Sequence, residues 1–184
     1  RLLSKHGQGE YRTTMKYIHE MLEKSETTSE EGSEKKNILE VGAGTGRYSI
    51  ALAKEGYEVD ALEYTEHNLE IMNRKITGEG LSNIRTYHGT ALDLSRFADE
   101  SFDLTLVLGP MYHLYTKEDK QKAMAEAIRV TKRGGHIFVA YCMNEYSILQ
   151  YGFRENNILE AIEAGKVSAD LSVMNEEADL YDSV

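Results

Sequence analysis

This 184-residue sequence predicts an α/β fold built on a doubly wound, mostly parallel sheet. Three observations carry that expectation. Apolar runs of strand length alternate with helical periodicity from residue 37 to residue 141. The first run, Asn37-Ile38-Leu39-Glu40-Val41, passes straight into Gly42-Ala43-Gly44-Thr45-Gly46 and then a helical pattern. A strand, a glycine turn and a helix N-terminus form the nucleotide-cradling unit of open sheets. An acidic residue, Glu63, follows the turn by roughly twenty positions, where a carboxylate accepts hydrogen bonds from ribose hydroxyls. The competing reading of Glu63 is a solvated loop carboxylate.

In chain order, Arg1 to Gly9 reads as a loose polar arm. Glu10 to Lys24 sets Tyr11, Met15, Ile18, Met21 and Leu22 on one face of an amphipathic helix. Ser25 to Lys36 is polar and charged, a surface linker. The helix after the glycine turn spans about Arg47 to Glu55, with Gly56 as its stop. Tyr57 to Leu62 is the second strand and ends at Glu63. Thr65 is placed to cap a helix with Asn68 to Ile76 as its body and Gly78 and Gly80 at its end. Ile84 to His88 is a short third strand. In Gly89-Thr90-Ala91-Leu92-Asp93-Leu94, Asp93 either caps a short following helix or binds. Asp99 to Leu108 gives a turn and the fourth strand, with Asp103 structural.

That strand ends in Gly109-Pro110-Met111-Tyr112-His113-Leu114-Tyr115. Ligands of open sheets lie at such carboxyl ends. Lys117 to Thr131 is a helix with Met124, Ala127 and Ile128 inward, stopped by Lys132 to Gly135. His136 to Tyr141 is the fifth strand. Parallel strands joined through helices imply right-handed crossovers. Beyond Cys142, the residues Ile148, Tyr151, Phe153, Ile158, Leu159 and Ile162 line one or two helices, and Lys166 to Val184 show little periodicity. The expected organisation is one domain over 1–184: a helix and linker (1–36), a core (37–141) and a C-terminal helical segment (142–184). No further strand pair is legible, so the C-terminal strands are expected to be incomplete.

Composition excludes several classes. With 21 basic and 31 acidic residues the net charge is −10, which argues against nonspecific nucleic-acid binding. Cys142 is the only cysteine, so an intrachain disulfide is excluded and a reducing compartment, the cytoplasm, is expected. No apolar run approaches the ~20 residues of a membrane span, and no signal-peptide pattern opens the chain. The chain starts at Arg1 rather than Met, so Arg1 is expected not to be the native start. No His/Cys/Asp cluster has metal-ligand spacing. His6, His19, His67, His88 and His136 show no grouping. Neither a G-x-S-x-G elbow nor a P-loop is present.

The glycine turn discriminates among ligands. It reads G-x-G-x-G, and Arg47 stands where the dinucleotide pattern has its third glycine. Glu40 lies at the strand tip, where a carboxylate repels a diphosphate and suits a cationic group such as an ammonium or sulfonium. This points to S-adenosylmethionine rather than NAD or FAD.

Glu40-Val41-Gly42-Ala43-Gly44-Thr45-Gly46 resembles motif I of the class I S-adenosylmethionine-dependent methyltransferases, and the resemblance runs from about Asn37 to about Tyr141 in the family's motif order. It implies a Rossmann-like fold and a cofactor that leaves as S-adenosylhomocysteine, with no metal. It places Gly42, Ala43, Gly44 and Gly46 along the methionine and ribose, Glu40 at the ammonium end and Glu63 on the ribose. Thr90 (where an acidic residue is commoner), Ala91 and Leu92 flank the adenine, and Leu108 and Gly109 lie near the methionine end. Arg129 to Val139 resembles the family's Leu-Lys-Pro-Gly-Gly turn and strand, with Arg133 in place of the proline. The leading helix is a lid in this family. Tyr11 and Tyr17 would then meet cofactor or substrate, or else simply dock the helix.

The chemistry implied is displacement at the sulfonium methyl, with alignment and exclusion of water as the protein's tasks. General-base candidates are His113, Tyr112 and Tyr141, and a packing role competes for each. The leading reading is a methyltransferase for a small-molecule acceptor. Alternatives are methylation of tRNA or protein, a non-catalytic S-adenosylmethionine-binding module, and, last, an NAD-dependent oxidoreductase. The sequence carries no signal for oligomeric state or for the acceptor atom.

Overall fold

A computed structural model of the chain describes residues 5–26, 35–141 and 148–168. The elements run α1 (Lys5–Glu26), β1 (Asn37–Val41), α2 (Arg47–Lys54), β2 (Glu58–Glu63), α3 (Glu66–Glu79), β3 (Ile84–His88), β4 (Phe102–Val107), a short 3₁₀ turn (Pro110–Tyr112), α4 (Lys117–Val130) and β5 (Thr131–Val139). A π-helical segment (Ile148–Arg154) and α5 (Ile158–Glu163) follow. The five strands form one sheet in the order β3-β2-β1-β4-β5, and every pairing is parallel. The chain reverses direction across the sheet between β1 and β4, and such a switch point opens a crevice at the strands' carboxyl ends.

Side-chain parity builds the two faces of the sheet. Ile38, Val59, Ala61, Leu104 and Leu106 face α1, α2 and α3, which contribute Met15, Ile18, Leu22, Ile50, Leu52, Met72 and Ile76. Leu39, Val41, Leu62 and Val107 face Ala123, Ala127 and Val130 of α4, together with Leu94 and Phe97 from the β3–β4 connection. Burying both faces explains why β1 and β4 read as nearly unbroken apolar runs. Within α1, Met15, Ile18 and Leu22 are buried, and each is worth roughly 1.5–3 kcal/mol of burial.

Local chemistry sets the element ends. Gly56 (φ 99°) and Gly80 (φ 65°) take left-handed conformations just past α2 and α3. Asp103 accepts from the Asn37 N–H at 2.9 Å and from Lys132 Nζ at 2.9 Å, joining the starts of β1, β4 and β5. Arg129 on α4 reaches Glu126 (2.8 Å), Asp99 (2.7 Å) and the carbonyls of Leu94 (2.9 Å) and Phe97 (3.0 Å). Glu126 in turn accepts from the Leu94 N–H at 2.7 Å. One guanidinium thus fastens the whole β3–β4 connection to α4.

Several expectations need correction. Residues 5–9 are helical rather than a loose arm. The glycines there cost about 1 kcal/mol each, and the packed Met15-Ile18-Leu22 stripe carries the helix through them. The expected linker overlaps the end of α1 at residues 25–26, and its 27–34 portion lies outside the described residues. Helix α3 starts at Glu66 and passes through Gly78, ending only at Gly80. Thr65 holds the N-cap place without a side-chain cap, and its own N–H donates to the carboxylate of Glu63. Asp93 caps no helix and instead accepts from the Ser95 N–H in a tight turn at 3.0 Å.

Ile128 is 60 % exposed, and Ala123 and Val130 take the inward places. Strand β5 begins at Thr131 rather than His136, directly after α4. Its pairing with β4 jumps from Phe102↔Thr131 to Leu104↔His136, so the Gly134-Gly135 stretch bulges out, with Gly134 at φ 81°. Two helical segments do follow residue 147. Ile148, Ala161 and Val167 form their own small cluster there, while Phe153 and Leu159 are exposed. Among the described residues the sheet has no strand beyond β5, and no helix is long and apolar enough to cross a membrane.

Replacing Arg129 by Ala leaves two carbonyls and two carboxylates without their shared donor. We expect a loss of roughly 1–3 kcal/mol, read as a lower urea midpoint with an unchanged m-value. An unchanged midpoint would show that the guanidinium fastens nothing.

Candidate functional site

The turn after β1 is held by its neighbours on β2. The N–H groups of Gly42 and Ala43 both donate to the carbonyl of Leu62, at 2.8 and 3.0 Å. Gly44 N–H donates to Glu63 Oε2 at 2.7 Å, and Gly46 N–H to the carbonyl of Ala43 at 2.9 Å. These amides therefore face protein acceptors and do not form a cradle for a diphosphate. Two of the glycines are obligatory. Gly42 has φ 73°, and a Cβ there would lie 2.8 Å from the Pro110 ring. Gly46 has φ 81°, and a Cβ would meet Met72 at 2.7 Å. Gly109 in turn lies against the carbonyl of Gly42. The loops after β1 and β4 thus touch at the switch point, where backbone must pass backbone.

Two buried carboxylates flank this turn, and strand parity sends both to the α2–α3 side. Glu40, 3 % exposed, accepts from the Ser49 backbone N–H at 2.9 Å and from the Ser49 hydroxyl. It thereby caps the first turn of α2 from the neighbouring strand. Burial pushes its pKa from the ordinary 4.5 up to about 7; the two Ser49 bonds pull it down, and the Glu63 charge adds to the rise. Glu63, 5 % exposed, accepts from Gly44, from Thr65 N–H at 2.9 Å and from Asn68 Nδ2 at 3.2 Å.

A cavity of about 610 Å³ opens beside them at the carboxyl ends of the strands, within the ~300–1,000 Å³ usual for small-ligand sites. One wall is Glu63, Tyr64, Thr65 and Asn68; a second is Gly89, Thr90, Ala91 and Leu92. Gly42, Gly109 and Pro110 form the floor, and His113, Leu114 and Tyr115 the remaining side. Thr90 Oγ1 accepts from the Leu92 N–H at 3.3 Å, which fixes the second wall as a turn. Tyr64 and Tyr115 are 72 % and 54 % exposed, so aromatic faces stand at the rim.

Among the predicted site residues, Gly42, Glu63, Thr90, Ala91, Leu92, Gly109 and His113 converge on this cavity. Glu40, Ala43, Gly44 and Gly46 adjoin it without lining it. Leu108 packs against the apolar core. Tyr112 is half-buried and off the cavity wall, and Tyr141 is 55 % exposed, also away from it. His113 reaches the cavity from an exposed position rather than a half-buried one. Tyr11 lies against Tyr48 with centroids 5.1 Å apart and carries the Arg47 guanidinium 4.2 Å above its ring. It docks α1 onto the start of α2, and together they edge a separate shallow groove that includes His19 and Glu55. Tyr17 is 50 % exposed and touches neither cavity.

Sequence reasoning passed over Tyr64, Thr65 and Asn68 as cavity residues, whereas Pro110, Leu114 and Tyr115 belong to the strand-end segment it placed where ligands lie. For Asn68 a signal existed. It is a polar residue in the first turn of α3, five positions after Glu63, where the helix folds back over the strand tip.

A five-stranded parallel sheet with an acid-flanked glycine turn at its switch point is the frame of a nucleoside-binding α/β protein. Residues 38–135, more than half of the chain, match the model of the methyltransferase domain family, and the chain belongs to that family. A demethylmenaquinone methyltransferase of Geobacillus kaustophilus is 34 % identical over 124 residues, covering 65 % of this chain and 50 % of that protein. A glycine/sarcosine N-methyltransferase of Aphanothece halophytica is 30 % identical over 132 residues, covering 71 % and 48 %. This chain thus spans about half the length of each relative. A solved structure from Methanosarcina mazei, described as a SAM-dependent methyltransferase, superposes with TM-score 0.60 at 21 % identity, over 71 % of this chain and 62 % of that one.

Two outcomes follow from the geometry. Gly42→Ala forces a left-handed backbone and a clash with Pro110, so about 1–3 kcal/mol of stability should be lost, seen as a lower thermal midpoint. For Glu40, the folded chain keeps a proton that the unfolded chain releases near pH 4.5, and gives it up only near 7. The stability linked to Glu40 is fully present below 4.5 and is lost as pH rises through 7. Glu40→Gln removes that dependence, so the variant should gain on the wild type between pH 5 and pH 8. A midpoint difference that stays constant with pH would contradict the buried carboxylate.

Proposed function

We propose that the chain is the cofactor-binding part of an S-adenosylmethionine-dependent methyltransferase acting on a small-molecule acceptor. The observation that carries this reading is the pair of buried carboxylates, Glu40 and Glu63, on either side of a glycine turn whose own amides are taken by protein acceptors. Such a site disfavours a diphosphate and favours a ligand with a hydroxylated sugar and a positive charge. Membership of the methyltransferase family and the small acceptors named by its relatives support the same reading.

S-adenosylmethionine supplies an electrophilic methyl group on a sulfonium and leaves as S-adenosylhomocysteine. Glu63 would hold the ribose, and the Thr90–Leu92 turn would flank the adenine. The floor at Gly42 and Gly109, where no side chain intrudes, would admit the methionine part, with Glu40 as the nearest buried anion for its ammonium. Leu108, behind Gly109, would back that end from the core. A cation beside Glu40 favours its ionised form and offsets the cost of burying that charge. His113, Leu114 and Tyr115 remain for the acceptor, and the His113 imidazole is the general-base candidate among them. No metal is assigned a role.

S-adenosylhomocysteine and S-adenosylmethionine should each raise the thermal midpoint of the wild-type chain, and NAD should not. Glu63→Ala should reduce that rise by an amount equivalent to tenfold or more in affinity. Transfer of label from methyl-labelled S-adenosylmethionine into a pool of quinones and amines would give the acceptor class, and transfer into RNA or protein pools instead would replace the small-molecule reading. A wild-type midpoint indifferent to both sulfur compounds would refute the cofactor assignment.

A further inference from the structure

Counting acceptors around Glu63 leaves its ribose role half filled. A carboxylate has about four in-plane lone-pair directions, two on each oxygen. Both directions on Oε1 are taken, by Thr65 N–H at 2.9 Å and Asn68 Nδ2 at 3.2 Å. On Oε2 one is taken, by Gly44 N–H at 2.7 Å. A single direction, on Oε2, remains for an incoming donor. A ribose presents two adjacent hydroxyls. Held as it is, Glu63 serves one of them and leaves the other without an acceptor.

Asn68 stands where the second acceptor is needed. It belongs to the first turn of α3 and lines the same cavity as Glu63. Its amide orientation is set by chemistry: an anionic Oε1 accepts, so the NH₂ end faces it and the carbonyl Oδ1 is turned away from it. Among the described residues no donor reaches that Oδ1. Asn68 therefore carries an open acceptor on a side chain bonded to Glu63, and both residues line the cavity that Thr90, Ala91 and Leu92 also line.

We propose that Asn68 is the second ribose-binding residue of this chain: Oδ1 of Asn68 accepts one of the two vicinal hydroxyls and Oε2 of Glu63 accepts the other. The inference rests on the S-adenosylmethionine reading and deepens it, because it makes the sugar diol a two-residue recognition element. The Asn68–Glu63 hydrogen bond couples the two acceptors, so each orients the other. A site that pairs both hydroxyls discriminates against a ligand lacking either, since the acceptor left behind is partly buried and unpaired.

The test is calorimetric titration of S-adenosylhomocysteine and its 2′-deoxy and 3′-deoxy analogues into the wild type, Asn68→Leu and Glu63→Gln. Leucine keeps the size of the side chain and the helix while removing the acceptor. Asn68→Leu should bind S-adenosylhomocysteine about tenfold more weakly, and that loss should vanish with one of the two deoxy ligands. The Glu63→Gln loss should persist with that ligand and shrink with the other. Asn68→Ser, with a shorter oxygen acceptor, should fall between wild type and leucine, and serves in its place should the leucine variant not fold. Equal affinity of wild type and variant for the parent ligand overturns the proposal. So does an equal loss for all three ligands, which would mean that Asn68 only steadies Glu63. Wild-type chain that binds none of the three overturns the methyl-donor reading itself, a result distinct from either of these.

Discussion

The hydrogen bond from Gly44 N–H to Glu63 Oε2, 2.7 Å long, is the constraint on which the site depends. It ties the turn after β1 to the tip of β2. With the two bonds to the Leu62 carbonyl, it makes the glycine turn part of the sheet rather than a free loop. Glu63 is then a structural clamp that also lines the cavity. Its burial is tolerable only because three donors surround it, since an unpaired buried carboxylate would protonate or swing out. The same logic applies to Glu40, whose cost of burial is offset through Ser49 at the start of α2. Burial pushes the Glu40 pKa up to about 7 against the pull of the Ser49 bonds, and the nearby Glu63 charge adds to the rise.

Much of this was legible in the sequence, and for a physical reason. A parallel sheet buried on both faces needs long apolar runs, and its crossovers need helices, so strand and helix order follow from periodicity alone. The glycine turn was legible because positive φ and close approach to Pro110 admit nothing else at Gly42. Glu63 was legible from its distance past the turn. What failed were features set by tertiary contact. Ile128 fits a helical stripe but points outward, because the inner face of α4 is taken by the small Ala123 and Ala127. Strand β5 starts early because a glycine bulge lets Lys132 turn back to Asp103 without breaking the pairing with β4. Tyr11, read either as a contact of a lid helix or as docking that helix, lies against Arg47 and Tyr48 on α2.

The division of labour along the chain follows. One part of the cavity lining comes from strand tips and backbone turns, which motifs encode. Another part is His113, Leu114 and Tyr115, loop side chains whose identity no spacing rule constrains. The demethylmenaquinone methyltransferase and the glycine/sarcosine N-methyltransferase match 65 % and 71 % of this chain, and the match covers about half of each relative.

A crystal structure of the chain with S-adenosylhomocysteine tests the central claim most directly. The account predicts adenosine between Glu63 and the Thr90–Leu92 turn, a ribose hydroxyl on the Glu63 carboxylate, and the amino-acid end over Gly42 toward Glu40. A ligand bound elsewhere, or an undisturbed cavity at saturating concentration, would contradict it.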